Sequence, residues 1–290
     1  MPATPSENPL PSLLGCLMLA GLFVMSLYIW PPKYGRNHPT TIKQRFCSVF
    51  FVVIISPIIL KFFVSSSELK QFSVFELIGL RLPGLLPAAI YPLLLTMVLF
   101  LGPLSMVDYK NIYCWVVNFR FWIDNFTNLI WLRNVIVGPL SEEFTYRACM
   151  MPLLMQCFSP LTAVFVCSFF FGVAHVHHVI ERYKAGDSLK MIIVRAIVQF
   201  SYTTLFGGYS AYLFIRTAHF ISVFMVHSFC NVMALPDFGK LYMYQNPKRS
   251  ILMCLFVLGV ILWYNLLDIM TSPKIYSNNI FFGDEVTASY

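Results

Sequence analysis

Charge is what this sequence has least of. Asp, Glu, Lys and Arg make up 11% of its 290 residues, where soluble globular proteins carry about 25%. With 58% hydrophobic residues and a mean hydropathy of +0.71, that deficit excludes an ordinary soluble domain and identifies a polytopic membrane protein. No Lys/Arg run occurs, so the net charge of +7 fits basic loops against anionic lipid and not a nucleic-acid partner. None of the 8 cysteines forms a CxxC, and most lie in apolar segments, so reduced packing thiols are expected in place of disulfides or a zinc knuckle. HExxH, GxSG and GxGD are all absent, which removes the sequence signatures of zincins and of serine and aspartate intramembrane proteases. There is no internal repeat and no low-complexity segment.

What is present is a succession of apolar runs long enough to cross a bilayer, at ~1.5 Å per helical residue over ~30 Å of hydrocarbon. They read as about Leu13 to Trp30, Phe46 to Val64, Leu85 to Val107, a stretch continuing from Gly138, Leu161 to Val179, Ile192 to Ile215, Phe220 to Leu235 and Ile251 to Ile269. The expected fold is an all-α bundle of about eight transmembrane helices enclosing an intramembrane cavity. It forms a single domain over 1–290 with a catalytic core at about 83–235 and flexible tails at 1–11 and 271–290. The first run lacks a basic n-region and a small-residue cleavage site and reads as an uncleaved span. Lys33, Arg36, Lys43 and Arg45 follow it, which by the positive-inside rule makes that loop cytosolic and the N-terminus lumenal. Residues 65–82 read as a loop, and 108–134 as an interfacial amphipathic helix. Pro152 predicts a kink or break in the helix around it.

A polar side chain at membrane depth is expensive and is a functional candidate by default. Three clusters qualify. In Gly138-Pro-Leu-Ser-Glu-Glu-Phe-Thr-Tyr-Arg147, Ser141 reads as an N-cap, and Glu143 and Arg147 are spaced to pair at i, i+4. Glu142 lies about 100° around the helix and has no partner from local spacing, which suits acid–base work. In the second, Phe171 and His175 set an aromatic wall beside an imidazole. His175 and His178 could alternatively hold a metal, while His177 and His178 are accounted for by interfacial solvation. His227 and Asn231, at i, i+4, could present two donors to one developing oxyanion; the plainer alternative is a helix–helix hydrogen bond. His219, at the start of the same helix, reads as interfacial. Together the clusters supply a base, an imidazole and an oxyanion pair for amide hydrolysis within a membrane.

In this order, EExxxR (Glu142, Glu143, Arg147), FxxxH (Phe171, His175) and HxxxN (His227, Asn231) resemble the motifs of the CAAX protease and bacteriocin-processing family. Asn37-His-Pro, Trp131-Leu-Arg-Asn134 and Phe169-Phe-Phe-Gly-Val-Ala-His-Val-His-His178 resemble its eukaryotic type II CAAX prenyl endopeptidases in particular. The resemblance runs from about residue 37 to 235. It implies an endopeptidase of the endoplasmic-reticulum membrane, reached from the cytosol. Such an enzyme removes the last three residues of farnesylated or geranylgeranylated CaaX proteins, small GTPases among them. It further implies that Glu142 and His175 activate water, that His227 and Asn231 line the oxyanion side, and that Glu143, Arg147 and Phe171 shape the site. No cofactor is expected. The alternatives are a zinc enzyme with Glu142, His175 and His227 as ligands, and a non-catalytic scaffold or transporter whose buried polar groups serve structure or proton coupling.

Overall fold

The computed structural model describes residues 8–283 apart from 32, 109–112, 114–116 and 185. Among these the regular elements are helical throughout. Five helices are long and apolar enough to cross a membrane. They are α1 (Pro9–Ser26), α2 (Pro39–Phe63), α5 (Pro160–Ala174, whose apolar stretch continues to Ile180), α6 (Leu189–Thr217) and α8 (Lys248–Met270). Two shorter apolar helices, α3 (Leu85–Leu99) and α7 (Phe220–Met233), and the interrupted helix α4 (129–155) complete the expected set. Lipid-facing side chains such as Phe50, Phe62, Leu161, Phe165, Leu205 and Tyr264 are exposed, as a bundle solvated by acyl chains requires.

Helix α4 lies at the centre, against α1, α2, α5, α6 and α7, while α3 packs between α7 and α8. It departs from the expected form in two ways. It starts upstream of Ser141, so Ser141 is not an N-cap: its Oγ donates back to the carbonyls of Val137 (2.7 Å) and Gly138 (3.1 Å) within the helix. The hydrogen-bond ladder also widens twice into π turns, at Arg133–Val137 and Phe144–Cys149. Each precedes a proline, Pro139 and Pro152, whose missing N–H and ring bulk disfavour a regular α turn. The break expected at Pro152 therefore takes the form of a widened turn just before it.

Smaller differences have local causes. Within the expected 108–134 stretch a helix runs over Phe119–Thr127 with no buried residue, and Asn128 caps the next helix through Ile130 and Trp131 and so begins α4; residues 109–112 and 114–116 lie outside the described residues. The 65–82 stretch holds two short helices, Ser66–Gln71 and Val74–Leu77, each capped by a serine. At the second, the backbone N–H and hydroxyl of Ser73 both donate to Glu76 at 2.8 Å and hold that carboxyl below its usual range. His219 is fully buried within the protein, with Nε2 2.8 Å from the Pro83 carbonyl. Residues 271–283, expected to begin a flexible tail, instead pack inward: Tyr276, Ile280 and Phe281 are buried, and the Asn278 amide donates to the Ile215 carbonyl of α6. The tail residues 1–7 and 284–290 lie outside the described residues, while residues 9–11 already belong to α1.

Without a hydrophobic drive between helices in lipid, close approach depends on small residues. The pairing of α5 with α6 turns on two. A Cβ at Gly172 would collide with Thr204 Oγ1, and one at Gly207 would stand 3.2 Å from the Arg147 guanidinium and 3.3 Å from Phe171. Gly172→Leu is expected to cost about 1–3 kcal/mol through overpacking. Thermal unfolding in detergent micelles reads this directly, and an unchanged midpoint would mean that α5 and α6 do not pack as described.

Candidate active site

The two adjacent glutamates of α4 face different surroundings, as residues about 100° apart on a helix must. Glu143 is wholly buried. Its Oε1 accepts from Arg147 Nη1 at 3.1 Å, the expected i, i+4 pair, and lies 2.6 Å from His227 Nδ1 of α7. Its Oε2 accepts from Ser210 Oγ of α6 at 2.6 Å. Arg147, also fully buried, lays its guanidinium 4.0 Å from the centre of the Phe171 ring of α5, a cation–π contact that gains strength from desolvation.

Glu142 instead lines a cavity of about 350 Å³, within the ~300–1,000 Å³ typical of ligand pockets. Its closest ionic neighbour is His227, whose Nε2 stands 3.8 Å from Oε2. His175, at the C-terminal end of α5, lines the same cavity, as do Asn231 and Tyr146. His175 Nδ1 is 2.8 Å from the Phe171 carbonyl. A carbonyl can only accept, so Nδ1 carries a proton, and in the neutral ring Nε2 keeps its lone pair. Phe171 stands edge-on to that ring, 4.7 Å between centroids, the aromatic wall the spacing predicts.

The His227–Asn231 pair is arranged differently from the expectation of two donors converging on one point. His227, 6% exposed, sits between the two carboxylates and is not among the residues lining the cavity. Asn231 does line it, and donates one amide hydrogen to the Asn134 carbonyl at 2.8 Å. The cause is Glu143: a buried carboxylate draws the imidazole of the same helix face inward. Since Nδ1 serves Glu143, Nε2 of His227 can donate only when the ring is doubly protonated.

The rings of His177 and His178 lie tilted at 47° to one another with centroids 4.0 Å apart, and both residues border the cavity. Among the described residues no three His, Cys, Asp or Glu side chains gather closely enough to hold a metal ion. Every described cysteine is a free thiol. The cavity walls also include Phe23 and Leu27 of α1 and Phe46 and Val49 of α2, outside the expected 83–235 core. Sequence reasoning missed Ser210 and Asn134 as partners of the motif residues. Ser210 was one unremarkable hydroxyl in an apolar run, whereas Asn134 stood in the Trp131–Asn134 motif without an assigned role.

The chain matches the family model described as type II CAAX prenyl endopeptidase Rce1-like over residues 124–233. It is similar to CAAX prenyl protease 2 of Homo sapiens, 42% identical over 275 residues that cover 92% of this chain and 83% of the human protein. It is similar also to the probable CAAX prenyl protease 2 of Schizosaccharomyces pombe (34% over 258 residues, 84% and 88% covered) and to CAAX prenyl protease 2 of Saccharomyces cerevisiae (27% over 246 residues, 76% and 78% covered). No solved structure matches it.

Removing one member of a buried ion pair leaves an uncompensated charge, at a typical cost of about 3–5 kcal/mol. Arg147→Met is accordingly expected to lower the thermal midpoint sharply, and adding Glu143→Gln to recover part of the loss. If Arg147→Met melts like the wild type, the pair does not hold the bundle together.

Proposed function

The chain belongs to the family of type II CAAX prenyl endopeptidases, and from that premise we propose that it cleaves prenylated CaaX proteins by glutamate-activated water attack. The observation that carries this reading is the contrast between the two glutamates. Glu143 is saturated by Arg147, Ser210 and His227, while Glu142 fronts a ligand-sized cavity that it shares with the His175 imidazole.

Glu142 and Nε2 of His175 hold the water between them. As its oxygen attacks the carbonyl that follows the prenylated cysteine, Glu142 takes the proton. The tetrahedral oxyanion accepts a hydrogen bond from the second amide hydrogen of Asn231, while His227, held between the two carboxylates, keeps Glu142 in position. Collapse breaks the C–N bond as Glu142 returns the proton to the leaving amine. The products are a prenylcysteine carboxylate and a tripeptide. Glu143, Arg147 and Phe171 act on position alone, fixing His227 and the α4–α5 packing. The Phe23, Leu27, Phe46 and Val49 wall suits a prenyl chain, which gains ~0.8 kcal/mol per CH₂ kept out of water. Farnesylated and geranylgeranylated small GTPases are the expected substrates, and the endoplasmic-reticulum membrane the expected setting. Arg36 belongs to the basic stretch between α1 and α2 and lines this cavity. If that stretch is cytosolic by the positive-inside rule, the cavity opens to the cytosol as well.

Glu142→Gln keeps shape and hydrogen bonding but cannot take a proton, and is expected to lower kcat on a farnesylated CaaX peptide by about 10²–10⁴-fold. Asn231→Ala is expected to lose about 10²–10³-fold. Both are measured in membranes with and without a strong chelator, which is expected to change nothing. Full activity of Glu142→Gln would remove it from the chemistry. Loss of wild-type activity to chelator, restored by zinc, would replace this mechanism with a metal-dependent one.

A further inference from the structure

The chemistry above leaves the basic part of the cavity wall unused. Arg36, Arg45 and Arg133 line it, and among the described residues Glu142 is the one carboxylate that does so. The three arginines come from separate places: the loop before α2, the first turns of α2 and the upstream π turn of α4. They are tied to the reacting groups. Arg133 Nη1 donates to the Arg36 carbonyl at 3.2 Å and to Asn37 Oδ1 at 3.1 Å, while its Nε donates to Asn134 Oδ1 at 3.0 Å. The Asn134 carbonyl in turn receives the Asn231 amide. Arginine rim and oxyanion donor are thereby linked through two adjacent residues of α4.

Several guanidinium groups gathered at the mouth of a half-apolar cavity favour an anion. The proposed reaction, on which this step rests, brings one: the substrate's own C-terminal α-carboxylate, three residues beyond the scissile bond. Three extended residues span about 10 Å, a reach that a cavity bordered by both Glu142 and the arginines can accommodate. We propose that Arg36 and Arg45, with Arg133 holding the loop in place, bind the terminal carboxylate of the substrate and so set the cut at a tripeptide from the end.

The test compares a farnesylated peptide ending in a free CaaX carboxylate with its C-terminal amide and with a version extended by one residue. Wild type is expected to favour the free acid by about 10-fold or more in kcat/KM, mainly through KM, as a charge-assisted contact supplies. Arg36→Ala and Arg45→Ala should raise KM for the acid and narrow the acid-to-amide ratio, and Arg45→Lys should restore part of it. Acid and amide cut equally well by the wild type, with no variant needed, would overturn the clamp while leaving the protease reading intact, and would point to lipid phosphate as the anion. An acid preference that persists unchanged in all the arginine variants would overturn it too. Failure to cut any of the three peptides would overturn the protease reading, and the clamp with it.

Discussion

A carboxylate sealed from solvent in a membrane bundle must be neutralised where it stands, and Glu143 meets that demand with groups from three helices. Arg147 comes from its own helix α4, Ser210 from α6 and His227 from α7. The other face of Arg147 rests on Phe171 of α5, which draws in a fourth. Apolar contacts alone specify little in lipid, because tails and side chains are alike to one another. The polar tie supplies what they lack: it allows one register of α4 against α6 and α7, since a slip of one residue would leave Glu143 or Arg147 buried and unpaired.

The same helix must both anchor the core and open onto a cavity. Two widened turns bracket the six-residue Gly138–Glu143 segment, and π turns of this kind accompany functional sites more often than chance. Gly138 is needed at the first: a Cβ there would press on the Arg133 carbonyl at 2.7 Å. The turn that carries Arg133 and Asn134 to the cavity mouth therefore depends on proline and glycine chemistry a few residues downstream. Backbone irregularity, side-chain placement and site geometry are here one problem with one solution.

Much of this is legible in the sequence. Hydropathy located the helices because an 18-residue apolar run has few alternatives, and helical spacing separated Glu142 from Glu143 because 100° per residue leaves little freedom. What resisted were features decided by partners distant in sequence. His227 and Asn231 share a helix face, yet Glu143, 84 residues upstream of His227, takes the one and Asn134 the other. Residues 271–283 read as a flexible tail until the carbonyls of Ile215 and Arg216 at the end of α6 are seen to accept from Asn278. The serine caps at Ser65 and Ser73 were readable as S-x-x-E patterns, but the polar composition around them hid two short helices within a loop.

The adjacency of the two glutamates has a chemical consequence. A single carboxylate in this setting would be captured by the nearest cation and would make a poor base, because an ion-paired oxygen gives up its lone pair reluctantly. Here Arg147, Ser210 and Nδ1 of His227 are all taken by Glu143, and Glu142 is left with an imidazole nitrogen 3.8 Å away as its closest ionic neighbour. In the proposed mechanism the tightly paired residue thus keeps its neighbour available as the base. The roles cannot be exchanged, since the spacing to Arg147 is one full turn from Glu143 and a turn plus one residue from Glu142. The second glutamate therefore serves as the anchor, and the first, which lines the cavity, is the one that the proposed mechanism sets against the substrate.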